Sequence, residues 1–162
     1  MTTDDDLTTI STILKSARFA TVTTRGAHGE LHSRPLAILE HDFTGTLWFF
    51  TQDPSPKTAE IGKHPEVNVA VGDGKGYLSL SGTASIDRDP ATIDKYWNPY
   101  AEAWFEQGRQ DPSVALLRVD VETAEMWDTD RPAVVKAFET LKGIITKTPP
   151  DVGENTTVTI GG

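Results

Sequence analysis

The chain has 162 residues, with 15 Lys and Arg against 24 Asp and Glu, and a formal net charge of −9. This acidic surplus repels nucleic acid and anionic membrane surfaces, so we expect neither as a partner. The absence of cysteine excludes disulfides, thiolate metal ligands and a cysteine nucleophile. The acidic start is followed by no apolar signal segment, and no apolar run reaches membrane-spanning length, which predicts a cytoplasmic protein.

The first predicted element is an amphipathic helix. Leu7, Ile10, Ile13 and Leu14 recur at helical spacing within residues 5–17, behind three aspartates that suit a helix N-terminus. A β-branched run then predicts a strand at residues 19–24.

Two further apolar runs, residues 31–39 and 46–51, flank turn-forming residues and predict a β-hairpin. This hairpin would continue the first strand as a three-stranded meander. In the predicted register Arg34 lies opposite Asp53, and Arg34 and Thr51 share the open end of the hairpin.

A helix is predicted to begin directly beyond that end, with Ser55 as N-cap and Pro56 at the first helical position. The unpaired N–H groups of its first turn attract an anion, and Lys57 and Arg34 add positive charge. An arginine inside an apolar strand needs an anionic partner. We therefore predict that Arg34, Thr51, Ser55 and Lys57 hold one phosphate of a flat-ringed cofactor. The alternative is that Ser55 is only a cap and Lys57 is only solvated.

A second hairpin is predicted from residues 66–71 and 77–86, with a glycine-rich turn between them. No helix follows these glycines, so we interpret them as a turn and not as a phosphate loop. One face of the second strand is polar and must meet water, a ligand or a partner chain. That face is formed by Tyr77, Ser79 and Ser81.

Aromatic residues concentrate in a helical stretch at residues 89–105, where we expect core and subunit contacts. The alternative is that Trp97 or Trp104 lies at the edge of the cofactor pocket. Residues 115–127 predict a long last strand, interrupted near residues 122–124.

The predicted elements form one domain over residues 1–147. A last helix is expected at residues 130–142, and residues 148–162 are expected to be an extended or disordered tail. Five to six strands with short helices between them are typical of a small closed or split β-barrel.

The sequence offers few groups for protein-only catalysis. Its four histidines show no metal-ligand spacing, so no metal site is predicted, and no nucleophile elbow is present. Bond chemistry would therefore come from a bound cofactor.

Several short motifs in a fixed order carry a family resemblance. They are Ser33-Arg34-Pro35-Leu36, Leu47-Trp48-Phe49-Phe50-Thr51, Ser55-Pro56-Lys57 with Ala59-Glu60-Ile61, Tyr77-Leu78-Ser79-Leu80-Ser81-Gly82, Trp97-Asn98-Pro99 and Ala124-Glu125-Met126-Trp127-Asp128. Over roughly residues 5–155 the chain resembles the pyridoxamine 5′-phosphate oxidase-like flavin-binding split-barrel superfamily, and most of all its general stress protein 26 branch. The resemblance implies a mainly β fold, a six-stranded split β-barrel with peripheral helices. It also implies a homodimer that binds FMN, or FAD, at the subunit interface.

The same resemblance implies cofactor-binding residues on four segments. The first flavin-contacting strand carries Ser33, Arg34, Pro35 and Leu36, and the second carries Phe50 and Thr51. The phosphate-binding segment carries Ser55 and Lys57. Tyr77 and Ser79 match a region that contacts flavin across the dimer, and Trp127 is a candidate for ring contact.

The vitamin B6 oxidases end in a segment whose Arg and His residues hold the substrate, and residues 148–162 contain neither. Pyridoxamine phosphate oxidation is therefore not expected. The leading interpretation is a flavin-dependent oxidoreductase of the general stress protein type, which exchanges hydride or electrons with NAD(P)H, a small organic oxidant or oxygen. One alternative is a flavin-storage or flavin-sensing stress protein without turnover. A second is a ligand-free barrel that acts through its dimer surface.

Overall fold

An antiparallel sheet, curled into a half-barrel, forms the body of the molecule. The computed structural model describes residues 4–39, 42–74, 76–128 and 156–160. Its strands are β1 (Phe19–Arg25), β2 (Leu31–Ala37), β3 (Thr46–Gln52), β4 (Glu66–Gly72), β5 (Gly76–Asp87), β6 (Val114–Asp128) and β7 (Thr156–Thr159). Its helices are α1 (Asp4–Ser16), α2 (Pro56–Lys63), α3 (Pro90–Tyr96) and α4 (Pro99–Trp104), with a 3₁₀ turn at Gly108–Gln110. The order β2-β1-β4-β5-β6-β3, with β7 added to β6, confirms the predicted mainly β fold with peripheral helices.

Strand alternation creates two apolar layers. In β3, Leu47 and Phe49 are buried in the barrel core, while Trp48 and Phe50 point to the opposite face. Helices α3 and α4 cover that second face, where Phe105 completes a smaller apolar cluster. The two-residue period of this strand therefore places Phe50 outside the barrel, among the helices.

Helix α1 packs on the barrel core, as its helical spacing predicts. Ile10, Ile13 and Leu14 are buried, and the helix begins with three aspartates and has Lys15 in its last turn. Both charge patterns complement the helix dipole.

The predicted hairpin of the second and third strands is wrong. Strand β2 pairs with β1, so that Arg34 lies opposite Val22, whereas β3 pairs with β6 at the far end of the sheet. The chain between β2 and β3 does not turn tightly because it buries two apolar side chains, Leu39 and Phe43. The backbone N–H of Phe43 donates to the Ser11 hydroxyl at 3.1 Å, which fixes this connection against α1.

The second predicted hairpin, β4 with β5, is confirmed in its pairing and in its turn. The backbone N–H of Gly76 donates to the Asp73 carboxylate at 2.8 Å, and Gly74 has a φ of 86°, which a residue with a side chain rarely adopts. Along β5, Leu78 and Leu80 are buried, whereas Tyr77, Ser79 and Ser81 face outward, as the alternation predicts.

The long strand β6 contains an irregularity where an interruption was predicted. Its pairing with β5 shifts so that Ser81 opposes Thr123 but Gly82 opposes Val121, which leaves Glu122 as the extra residue of a bulge. A side chain at Gly82 would collide with the backbone of β6, so glycine permits the close approach of the two strands.

The predicted last helix at residues 130–142 lies outside the described residues. Beyond it, β7 extends the sheet by pairing with β6, within the segment expected to be an extended or disordered tail. In the parts of the chain that the structure describes, no helix is long and apolar enough to cross a membrane. The same parts contain no group of three or more His, Asp or Glu residues that would hold a metal ion.

Candidate functional site

A cavity of about 580 Å³ lies between the two separated edge strands, β2 and β3, and is covered by α4. Pro35 and Leu36 of β2 form one wall, and Phe50 at the end of β3 forms another. Ser55 and Lys57, at the start of α2, form its polar end. This volume is in the range of cavities that bind small molecules and cofactors.

The start of α2 is organised by a capping box. The Ser55 hydroxyl accepts the backbone N–H of Thr58 at 3.3 Å, and the Thr58 hydroxyl accepts that of Ser55 at 2.9 Å. Pro56 at the first helical position has no N–H. These contacts confirm the predicted N-cap, and they hold the backbone of Lys57 in the first turn at the cavity.

Lys57 is the principal cation of this end. Its side chain is half-buried and, within the described part of the chain, its amine makes no hydrogen bond or ion pair. Burial, and secondly the charge of Arg34, lower the pKa of Lys57 below its ordinary value. A half-buried amine next to a second cation is stabilised by an anion, because the anion offsets both the lost hydration and the repulsion.

Arg34 does not line the cavity, although its charge acts on Lys57. Its guanidinium donates to the Thr24 hydroxyl at 2.5 Å and to Glu60 at 3.3 Å, and also to the backbone carbonyl of His32 at 3.0 Å. The anionic partner that this strand arginine requires is therefore supplied inside the chain by Glu60.

Glu60 is the residue of this network that the charge and capping patterns of the sequence do not predict. It accepts the Thr24 hydroxyl at 2.5 Å and lies 2.6 Å from the His32 ring nitrogen Nδ1, in addition to its contact with Arg34. The Thr24 hydroxyl, followed by His32 and Arg34, holds the pKa of Glu60 below its ordinary value. The Glu60 carboxylate therefore stays ionised and compensates the charge of Arg34. Of the two cations, Arg34 and Lys57, only Lys57 is left without a compensating charge among the described residues.

The apolar wall is fixed by aromatic packing behind it. The ring of Phe50 meets that of Trp97 edge to face at 5.4 Å and that of Phe105 at 6.4 Å. Of the two tryptophans considered for the pocket edge, Trp104 lines the cavity and Trp97 supports Phe50 from behind. A flat apolar ligand would therefore meet a rigid surface.

Four other predicted cofactor contacts lie away from the cavity. The Ser33 hydroxyl bonds to that of Thr23 at 2.7 Å, and Thr51 is buried with its hydroxyl donating to the carbonyl of Gln52 at 3.3 Å. Tyr77 and Ser79 lie on the outward face of β5. Thr51 follows Phe50 on the other side of β3, so the sequence separation of one residue places the two on opposite faces.

The last predicted contact, Trp127, lies opposite Tyr77 on β6. Neither side chain lines the cavity of its own chain. Both are exposed on the sheet surface, at 57% for Tyr77 and 38% for Trp127.

Three exposed aromatic side chains line the mouth of the cavity, and we call them the aromatic shelf: Phe19, Tyr100 and Trp104. The rings of Tyr100 and Trp104 are nearly parallel, with centroids 6.4 Å apart, and Phe19 meets Tyr100 edge to face at 6.4 Å. Their exposed fractions are 51–61%. The Asn98-Pro99 cap at the start of α4 is the sequence signal that places Tyr100 and Trp104 one helical turn apart.

Comparison with known proteins supports the family resemblance over most of the chain. The model of a family described as pyridoxamine 5′-phosphate oxidase like matches residues 5–151. Protein bli-3 of Neurospora crassa is 31% identical over an alignment of 166 residues. The alignment covers 93% of this chain and 78% of that protein. A general stress FMN/FAD binding protein of Xanthomonas citri, whose crystal structure is known, is 34% identical, with a TM-score of 0.69 over 80% of this chain and 92% of its own. A general stress protein 26 from Jannaschia is 29% identical, with a TM-score of 0.69 over 96% and 98% of the two chains.

Proposed function

The chain belongs to the pyridoxamine 5′-phosphate oxidase-like family, and from this membership and the cavity we propose that it binds FMN, or FAD, as a flavin-dependent oxidoreductase. The observation that carries the proposal is the Lys57 amine. It is half-buried, has no bonded partner in the described ranges, and opens onto an apolar cavity. The similar Xanthomonas citri protein, described as FMN/FAD binding, supports the same ligand class.

Each wall of the cavity has a role in this proposal. Lys57 and the Ser55 hydroxyl bind the phosphate, and the backbone N–H of the first turn of α2 adds a donor. Pro35, Leu36 and Phe50 contact the ring and exclude water from it. Flavin, when bound, supplies hydride and electron transfer through its ring.

Arg34 has an indirect role in the proposal. Because Glu60 neutralises it, Arg34 contributes to the phosphate site by holding β2 against α2 through this ion pair. Lys57 therefore supplies most of the charge that distinguishes FMN from riboflavin.

We further propose that the chain forms a homodimer through the outward face of the sheet. A row of small polar side chains crosses this face, and the exposed Leu31, Tyr77 and Trp127 lie on the same side. The row is formed by Ser33, Thr23, Asn68, Ser81 and Thr123, which are register partners on successive strands. In such a dimer Tyr77, Ser79 and Trp127 would reach the flavin of the partner subunit.

The oxidoreductase proposal is tested with the FMN-loaded protein under anaerobic conditions. Addition of NADH or NADPH is expected to bleach the flavin absorbance, and admission of air is expected to restore it. A protein that retains flavin but is bleached by neither donor would contradict turnover with nicotinamides and favour the storage or sensing alternative.

The dimer proposal has a separate test. Light scattering is expected to give twice the chain mass of 17.7 kDa. Replacing both Tyr77 and Trp127 with Ser is expected to shift the mass toward one chain, and a mass of one chain in the wild type would contradict the dimer.

A cytoplasmic location stays a prediction.

A further inference from the structure

The charge of the cavity differs from the charge of the protein. Among its described lining residues are three cations, Lys15, Arg18 and Lys57, and no carboxylate. The whole chain has 24 acidic and 15 basic residues, so a surface patch would be expected to carry more acid than base. The lining therefore carries more positive than negative charge, which favours an anionic ligand.

Two of these cations reach the cavity from different segments, and we distinguish a Lys57 end, at the start of α2, from an Arg18 end, directly before β1. Lys57 lies within the field of Arg34, whereas the backbone carbonyl of Arg18 accepts the N–H of Ile38 at 3.1 Å. Positions 34 and 38 are four residues apart on or just after β2, a separation of about 13 Å at 3.3 Å per residue. This backbone spacing leaves room for a separate anionic group at Arg18 when a phosphate is bound at Lys57.

Arg18 is the available cation of its end. Lys15 forms an ion pair with Asp42, and so its charge is compensated. The Arg18 guanidinium has no hydrogen bond or ion pair to any described residue. A guanidinium presents several N–H groups in a plane and binds carboxylate or phosphate by two parallel hydrogen bonds.

The aromatic shelf lies at the same end. Phe19 follows Arg18 directly in the chain, and its ring meets Tyr100, which in turn stacks with Trp104. Exposed, ordered aromatic rings around a cavity mouth offer a surface on which a planar ring can stack. The shelf and Arg18 together therefore match a ligand with an aromatic ring and a negative group.

We propose that Arg18 and the aromatic shelf form a second binding subsite, for a planar aromatic molecule that carries a carboxylate or a phosphate. Its anionic group is bound by Arg18 and its ring by Tyr100 and Trp104. The order along the cavity is then phosphate at Lys57, flavin ring at Leu36 and Phe50, and second ligand at the shelf. This assignment rests on the proposed function in one respect: with flavin in place, the second ligand is the reactant that lies beside the flavin ring.

The test uses the full-length, FMN-loaded protein and calorimetric titration with four probes. Naphthoate and naphthyl phosphate carry both features, naphthol lacks the charge, and cyclohexanecarboxylate lacks the aromatic ring. We expect at least one of the two aromatic anions to bind about tenfold more tightly than either of the other probes, since a charge-assisted bond is added to ring stacking. The preferred anion identifies carboxylate or phosphate as the natural group.

The variants separate the two parts of the subsite. Arg18→Gln is expected to weaken the aromatic anion about tenfold and leave naphthol unchanged, whereas Trp104→Leu weakens both. Arg18→Lys keeps the charge and is expected to retain most of the affinity. The matched control is Arg25→Gln, which removes the same charge from an exposed position at the other end of β1.

Equal binding of naphthol and the anions, or unchanged anion binding in Arg18→Gln, would overturn the subsite. FMN affinity measured in the same variants is expected to stay constant. If the protein binds no FMN, the proposed function fails, but titration of the flavin-free protein with naphthoate and its Arg18→Gln variant still decides the subsite.

Discussion

Removing the amine of Lys57 should weaken FMN binding much more than riboflavin binding, because the two ligands differ only in the phosphate. The substitution Lys57→Gln keeps a polar side chain of similar reach but removes the charge. Hydrogen bonds to charged groups contribute about 1.5–3 kcal/mol to stability. At about 1.4 kcal/mol per factor of ten, FMN affinity is expected to fall roughly 10- to 150-fold.

The structure supports an interaction free energy between Lys57 and the phosphate that lies within this range. It should exceed that of an exposed ion pair, which contributes about 0–1 kcal/mol. The Lys57 side chain is half-buried, and its pKa is lowered by burial and by Arg34. Part of the cost of removing the amine from water is therefore already present in the free protein. The bound phosphate recovers this cost, so more of the interaction energy appears as affinity.

The assay is a titration of each flavin followed by the quenching of its fluorescence. Lys63→Gln is the matched control, because Lys63 is an exposed lysine in the last turn of the same helix and does not line the cavity. The control should leave both affinities unchanged. Equal losses of FMN and riboflavin affinity in Lys57→Gln would refute the assignment of the phosphate to this residue.

Three further predictions concern the network behind the site and the packing of the sheet. Glu60→Gln should tighten FMN binding several-fold in the same titration, since it releases Arg34 from its ion pair; weaker binding would show that Glu60 is needed to hold the site together. Gly82→Ala should destabilise the protein by roughly 1–3 kcal/mol in urea unfolding, because the new methyl group meets backbone atoms of β6, whereas Gly62→Ala in α2 meets nothing and should be neutral or stabilising. Hydrogen bonds from the side chains of Thr58 and Arg88 lower the pKa of Asp53, as the network around Glu60 lowers the pKa of that residue. These two carboxylates add stability that is complete above their ordinary pKa values, 3.8 for Asp53 and 4.5 for Glu60, and that is lost as the pH falls below them. Thermal melts between pH 6 and pH 3 should show this loss, and Glu60→Gln should flatten it.

The sequence predicts the strands well because each carries a local signal. Leu78 and Leu80 alternate with outward residues in β5, so a period of two identifies both that strand and its faces, whereas β3 is predicted by a continuous apolar run that does not distinguish its faces. The predicted interruption of the last strand coincides with the bulge at Glu122.

Strand pairing was predicted less well because it depends on contacts distant in sequence. The turn-forming residues between β2 and β3 favoured a hairpin, but the burial of Leu39 and Phe43 leads the connection across the core to the other end of the sheet. No local pattern distinguishes a buried connection of this kind from a turn. The consequence is a cleft between β2 and β3 in place of a hairpin, and this cleft is the cavity.

The candidate site also combines residues with a local sequence signal and residues placed by contacts distant in sequence. Ser55 and Lys57 were predicted from capping rules that act over three residues, and both line the cavity. The rule that a strand arginine needs an anion does not distinguish an external phosphate from a carboxylate of the chain. Glu60, 26 residues beyond Arg34, supplies that carboxylate. Arg18 was not identified because the cavity that it lines forms only when β2 and β3 separate, and the predicted hairpin joined these two strands.

The most direct test of the central claim is the visible absorbance spectrum of the purified protein, recorded before and after FMN addition and desalting. The wild-type protein is expected to retain the flavin bands, and Lys57→Gln is expected to lose most of them under the same conditions. A wild-type protein that retains neither FMN nor FAD would contradict the claim that this cavity is a flavin site, while leaving the family and the fold unchanged.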